Sequence, residues 1–201
     1  MSGRIYILEG LPGVGKTLFC ESVIKSMSNV KVLKEWVDEE MLEKYIKDMK
    51  KYATRFQFCI QNETMTRMKE AVKLAKEGFT VFVDRGIVGN RCFAELQHKN
   101  GLISRSDIEV YRRAYSYEMV EGLNDVEFST IYMKADVKTC LFRINLRDRK
   151  GEDAYDVTYL SELKNIHDSL LLDAKMIKCD ENSLENGLIP REVLRRSLEA
   201  Y

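Results

Sequence analysis

The chain has 201 residues, of which 45% are apolar and 32% charged, so it suits one globular domain with a substantial core and not a disordered segment. Its 32 basic and 32 acidic residues cancel, which removes the electrostatic footprint expected of a nucleic-acid or membrane-surface binder. No apolar stretch reaches membrane length, the start "MSGRIYILEG" lacks a signal peptide's apolar region, and five scattered cysteines without a C-x-x-C pair fit a reducing, cytoplasmic setting.

The first element is the strand-like run "RIYILE", followed at residues 10–17 by "GLPGVGKT" and then by the helical stretch "TLFCESVIKSM". A second strand, "VKVL", leads into "KEWVDEEML", which puts Glu35 beside Trp36. The helical segment "KKYATRFQFCIQNETMTRM" carries Gln57, and "QNETMTRMKEAVKLAKEG" ends at Gly78, a position suited to a left-handed cap. The strand "TVFVD" ends on Asp84 and Arg85. The run "SRSDIEVYRRAYSYEMVEG" reads as one helix closed by Gly122, with its aromatic residues serving core and subunit contact. The strand "STIYMK", the arginine-bearing "FRINLRDRKGED", the helix "VTYLSELKNIHDSLLLDA" and the strand "KMIKC" complete the order. Strands alternating with helices predict a single α/β domain over 1–201, a five-stranded parallel sheet with helices on both faces.

Gly10, Gly15, Lys16 and Thr17 satisfy G-x-x-x-x-G-K-[ST] between a strand and a helix, the setting of a phosphate-binding loop. Its glycines let the backbone amides of Gly10, Leu11, Pro12, Gly13, Val14 and Gly15 approach phosphate oxygens; proline itself contributes no N–H. Lys16, whose head is expected to be solvated without ligand, supplies a point charge to the outer phosphates of ATP, and the Thr17 hydroxyl suits Mg²⁺. An N-K-x-D guanine motif is missing, which argues against a GTPase. Arg143 and Arg147 fall one helical turn apart, with Arg149 just beyond, as in a lid over about 143–153 that closes on phosphates.

Together these residues resemble the deoxyribonucleoside kinase family and, more distantly, the thymidylate kinases, from the first strand to about Asp180. The resemblance implies a P-loop kinase fold, transfer of phosphate from ATP to a nucleoside 5′-hydroxyl, and a homodimer. It makes Glu35 the base, "FQ" (Phe56, Gln57) the contact to the nucleobase, Asp84 a group near Mg²⁺, Arg85 the cation near the travelling phosphate, and Glu152 a contact to the sugar. Trp36 and Gly86 depart from the family's proline and serine. Ile46 stands where the family has a sugar-binding tyrosine, so Tyr45 takes that role. Asn90 and Thr64 replace an aspartate–arginine pair used for deoxycytidine and purines, which makes thymidine the expected substrate. A monophosphate acceptor, with Arg55 and Arg67 as its phosphate ligands, and a non-catalytic nucleotide switch are the rival readings.

Overall fold

In the computed structural model of the chain, residues 3–149 and 151–179 are described. The expected single domain over 1–201 and the lid over 143–153 therefore include residues outside that set, Asp180 and the tail beyond it among them. Five strands form one all-parallel sheet: β1 (Arg4–Glu9), β2 (Val30–Leu33), β3 (Thr80–Asp84), β4 (Glu127–Lys134) and β5 (Lys175–Lys178), in the order β2-β3-β1-β4-β5. The helices are α1 (Lys16–Ser26), α2 (Glu39–Lys47), α3 (Met49–Lys76), α4 (Ile87–Lys99), α5 (Arg105–Ala114), α6 (Val137–Arg147) and α7 (Val157–Leu170). All five expected strands form. β4 begins two residues earlier than its apolar run, where Glu127 and Phe128 pair with Arg4 and Ile5.

The central strand shows why the sheet is covered on both faces. Along β1, Tyr6 and Leu8 enter one apolar cluster with Phe19, Phe82, Leu160 and Leu163, while Ile5 and Ile7 enter another with Met68, Val72, Val81 and Val83. Each such side chain contributes about 1.5–3 kcal/mol by leaving water. The edge strands β2 and β5 are less buried and carry Lys31, Lys175 and Lys178, charges that discourage pairing with another chain's edge.

α3 is longer than its clearest apolar period suggests. The Asp48 side chain accepts from the Lys51 amide at 3.0 Å and starts the helix at Met49, and Gly78 (φ +95°) turns the chain after its end. One expectation fails. α5 stops at Ala114, and Gly122 (φ +76°) begins a short 3₁₀ turn instead of capping a helix. Tyr115 and Tyr117 both pack on the cluster containing Val72 and Leu123. Residues two apart share a face in extended chain but not in a helix, so seating both rings there ends the helix.

The sheet order sets the site's place. β3 and β4 flank β1 on opposite sides, and in open α/β sheets ligands bind beyond the carboxyl ends of strands where the order reverses. Gly10, Glu35 and Arg85 all follow the ends of β1, β2 and β3.

Candidate active site

The loop after β1 is built on backbone that only glycine tolerates. Gly10 (φ +144°) and Gly13 (φ +77°) occupy the left-handed half of conformational space, and a Cβ on either would lie 2.4 Å from a carbonyl oxygen, of Met133 or of Cys140. The loop opens directly into α1, whose N-terminal amides and dipole favour an anion. Lys16 is not solvated, contrary to expectation. It is 7% exposed, and its Nζ donates to the Gly10 and Leu11 carbonyl oxygens at 3.2 and 3.1 Å. Burial, helped by nearby Arg85, brings its ammonium down to about 8 against the pull of Asp84, Glu35 and Glu9. The loop's own carbonyls hold the lysine where phosphate would otherwise draw it.

Beside the loop, Glu35 Oε1 accepts from Arg85 Nε at 2.7 Å, and Arg85 NH1 reaches the Gly10 carbonyl at 3.4 Å. Arg85 is 4% exposed, has φ +64°, and lies over the Phe93 ring with its Cζ 4.8 Å from the centroid. A non-glycine residue in that conformation is strained by about 1 kcal/mol or more, and the surrounding contacts must hold it. Burial works against the Arg85 charge, yet Glu35, Glu9 and Asp84 outweigh it and raise the guanidinium above its ordinary value. Burial would likewise push Glu35 up, but Arg85, Lys16 and Arg67 hold its carboxyl below the ordinary carboxylate value.

Thr17 Oγ1 donates to Asp84 Oδ2 at 3.3 Å, and the buried Asp84 Oδ1 has no partner among the described residues. A hydroxyl beside a carboxylate with an unspent oxygen suits Mg²⁺, which takes few protein ligands and completes its shell with phosphates and water. Among the described residues there is no group of three or more His, Cys, Asp or Glu side chains that could cage a metal by themselves.

A cleft of ≈ 820 Å³ brings most of the expected residues together: Pro12, Gly13, Gly15, Lys16 and Thr17 of the loop, then Glu35, Tyr45, Gln57, Asp84, Arg85, Asn90, Arg143, Arg147, Arg149 and Glu152. Trp36 does not join them; its ring is 48% exposed and its neighbours Glu35 and Val37 line the cleft instead. Gly10, Leu11 and Val14 stand behind the lining, with the last two buried in the core. Tyr45 lies in the cleft, stacked on Phe56 (4.7 Å, 6°), with its hydroxyl accepting from Gln97 Nε2 at 3.1 Å. Ile46 lies by the lid, where a Cβ on Gly151 would come within 2.8 Å of its Cδ1.

The lid arginines divide. Arg143 NH1 donates to the Val14 and Cys179 carbonyls at 3.3 and 3.1 Å, bracing the loop to the residue after β5. Arg147 makes a two-pronged pair with Glu152, its Nε lying 2.8 Å from Oε2 and its NH2 donating to Oε1. Arg149 is exposed, and its carbonyl accepts from the Glu152 amide at 3.2 Å.

On the α3 wall of the cleft, Gln57 is 2% exposed and its carboxamide bonds to no described residue. Asn90 Nδ2 and Arg67 NH2 both donate to Thr64 Oγ1, and Arg67 NH1 donates to the Asp84 carbonyl at 2.9 Å. Both terminal nitrogens of Arg67 are thus given to protein acceptors while its buried Nε has none among the described residues, Arg55 is exposed, and neither side chain lines the cleft. Neither is placed as a ligand for an acceptor's phosphate.

Sequence reasoning missed several lining residues. Phe93, Gln97, Tyr155 and Tyr159 reach the cleft from α4, α7 and the segment before α7, and nothing in their local pattern separates them from core residues. Glu9 is also missed, although an acidic residue ending an otherwise apolar strand is a legible anomaly.

No helix among the described residues is long and apolar enough to cross a membrane, and all five cysteines are free, four of them buried. The family model for deoxynucleoside kinases matches residues 6–192. The chain is 25% identical over 173 residues to deoxyadenosine kinase of Dictyostelium discoideum, covering 86% of this chain and 69% of that one. It is 28% identical over 176 residues to deoxyguanosine kinase of the same organism, covering 86% of this chain and 60% of that one. The solved structure of deoxyadenosine kinase from M. mycoides superposes with a TM-score of 0.70 at 21% identity, over 90% of this chain and 92% of that one, which supports the fold. With a match running through nearly all of its length, the chain belongs to the deoxynucleoside kinase family.

Proposed function

We propose that the chain transfers the γ-phosphoryl group of ATP to the 5′-hydroxyl of a deoxyribonucleoside. The observation that carries this is the Glu35–Arg85 pair, 2.7 Å apart, in one cleft with the phosphate-binding loop and Lys16. Glu35 takes the hydroxyl proton as the 5′-oxygen bonds to phosphorus and the bond to ADP breaks. A carboxylate held below its ordinary value is ionised at neutral pH and is a weak base. That is sufficient where the transition state is loose and the proton leaves late. Lys16, Arg85, Arg147 and Arg149 offset charge on the phosphoryl oxygens, and Arg143 braces the loop. Thr17 and Asp84 would hold Mg²⁺, whose part is to neutralise phosphate charge. A monophosphate acceptor fits less well, because Glu35 repels it and neither Arg55 nor Arg67 lines the cleft to bind it.

For the base we propose thymidine. Gln57 offers both a donor and an acceptor to the carbonyl–N–H edge of thymine, and Asn90, which lines the cleft with it, is neutral, with Thr64 behind it as its hydrogen-bond acceptor. A second reading has its own support. With its nitrogen given to Thr64, the Asn90 carboxamide oxygen has no partner among the described residues and could accept from the amine of cytosine or adenine, and the two relatives above are named for purine nucleosides. ADP release with ATP–Mg²⁺ against thymidine, deoxycytidine, deoxyadenosine, deoxyguanosine and dTMP tests all of this. Highest kcat/KM on thymidine supports the first reading, and an amine-bearing base in first place supports the second. Highest kcat/KM on dTMP overturns the nucleoside assignment. We further propose one domain over the whole chain, a cytoplasmic setting in keeping with the free thiols, and, on the family resemblance, a homodimer that light scattering would test.

A further inference from the structure

Glu9 is a titratable group in the heart of the protein that the reaction scheme leaves without a task; burial pushes its carboxyl up to about 7 against the pull of Arg85 and the Gly89 amide. It ends β1, directly before Gly10, and is 0% exposed. Its Oε1 accepts from the backbone amides of Gly86 and Gly89, at 3.2 and 2.9 Å. These amides belong to the first turn of α4, and the α4 N-cap residue, Gly86, has no side chain to cap the helix itself. The strand next to β3 thus supplies the cap that the helix lacks. Both glycines make room for it: a Cβ on Gly86 would lie 3.1 Å from Oε1, and one on Gly89 would lie 2.1 Å from Oε2.

The residue just before this turn is Arg85, in its left-handed conformation, with its amide donating to the Leu8 carbonyl at 3.0 Å. A Cβ on Gly89 would also come within 3.0 Å of Arg85 Cγ, so the arginine stem and the Glu9 carboxylate share one small space. We infer that Glu9 is a positioning residue for phosphoryl transfer, fixing the β3–α4 turn, and through it the Arg85 guanidinium, against the start of the phosphate-binding loop. Because Glu9 adjoins Gly10 covalently and holds α4 by hydrogen bonds, it joins the donor-binding loop to the acceptor-side arginine. The attraction between its carboxylate and Arg85 acts in the same direction. This inference rests on the proposed role of Arg85.

The test is a double-mutant cycle between Glu9→Gln and Arg85→Lys, read as kcat, KM for ATP and KM for the nucleoside. Glutamine keeps an acceptor for the two amides and replaces the ionisable carboxyl facing Arg85 with a neutral amide. Glu9→Gln is expected to lower kcat by about tenfold or more, the cost of a slightly misplaced group, with KM for ATP within about twofold. In the Arg85→Lys background the same change is expected to cost little further. Gly89→Ala displaces the carboxylate without altering any charge, and the same loss of kcat is expected. Full kcat in Glu9→Gln, or losses that simply multiply with those of Arg85→Lys, overturns the inference. So does a fall in melting temperature with kcat per folded molecule unchanged, or a failure of both Glu9→Gln and Gly89→Ala to fold. An Arg85→Lys enzyme with full kcat would instead overturn the reading of the site itself, and the two failures are thereby distinguishable.

Discussion

Replacing Glu35 by glutamine separates chemistry from binding in this cleft. Glutamine matches glutamate in length and still accepts a hydrogen bond from Arg85 Nε, now 2.7 Å from Oε1, but it cannot take a proton. Removing a general base costs about a hundredfold in turnover, and two decades correspond to about 2.7 kcal/mol of barrier. Arg85 keeps its attraction to Glu9 and Asp84, so the melting temperature is expected to move by less than about 5 °C. Lys16 keeps both of its carbonyl partners, so KM for ATP is expected to stay within about twofold. The pH dependence has a definite sign. The folded-state value of Glu35 lies below the ordinary 4.5, so wild-type activity owes nothing to its titration near neutrality and loses this base only as the pH falls through that depressed value. Initial rates of ADP release, measured across pH and ATP concentration with saturating nucleoside, give turnover, KM for ATP and the pH dependence, and thermal unfolding gives the melting temperature. A kcat within threefold of wild type, or a loss confined to KM for ATP, would refute the assignment of Glu35 as base.

Three further outcomes are expected. Lys16→Ala should reduce turnover by about a hundredfold or more, since it removes a preorganised cation from the transferring phosphate, and retained turnover in the folded variant would contradict the loop's role. Arg147→Ala and Arg149→Ala should lower kcat with the melting temperature almost unchanged, while Arg143→Ala should lower both because it also severs the bonds to Val14 and Cys179; calorimetry beside kinetics distinguishes the patterns. His167 is fully buried, with Nδ1 2.9 Å from the Leu163 carbonyl and Nε2 without a partner among the described residues, and burial brings its value from 6.5 down to about 3. The unfolded chain therefore takes up a proton below 6.5 that the folded chain refuses until about 3, so stability falls with pH across that window, by roughly 2 kcal/mol at pH 5. Urea unfolding at pH 7 and pH 5 should show this loss in the wild type and not in His167→Gln; parallel behaviour would contradict it.

The five strands were legible because a parallel sheet buried on both faces demands continuous apolar runs, and few helical segments imitate "TVFVD" or "RIYILE". The phosphate-binding loop was legible because its backbone geometry admits so few residues at Gly10 and Gly13. What the local pattern hides is long-range. Whether Lys16 points to water or to two carbonyls depends on how the loop curls back on itself, and no spacing encodes that. Trp36 and Glu35 are neighbours in sequence, yet successive residues in extended chain face opposite ways, so only one of them enters the cleft. For Arg147 and Glu152 the outside partners that the resemblance implies compete with a nearer one, each other, five residues apart in the chain.

On the proposed reading, in which Arg147 and Arg149 bind the nucleotide's phosphates, that clasp is a built-in competing ligand. With Glu152 tethered to Arg147 through a few residues of chain, the carboxylate is present at an effective concentration on the order of millimolar or above, whatever the nucleotide level. An incoming anion must win the guanidinium away from it, and a singly charged group gains little in the exchange. A polyphosphate gains more, because Arg149 lines the same cleft and adds a second attraction that the carboxylate cannot match. The lid thereby discriminates by charge count before shape is consulted. On the same reading, a spent nucleotide with one phosphoryl group fewer competes less well with Glu152 for Arg147, which would ease its exit.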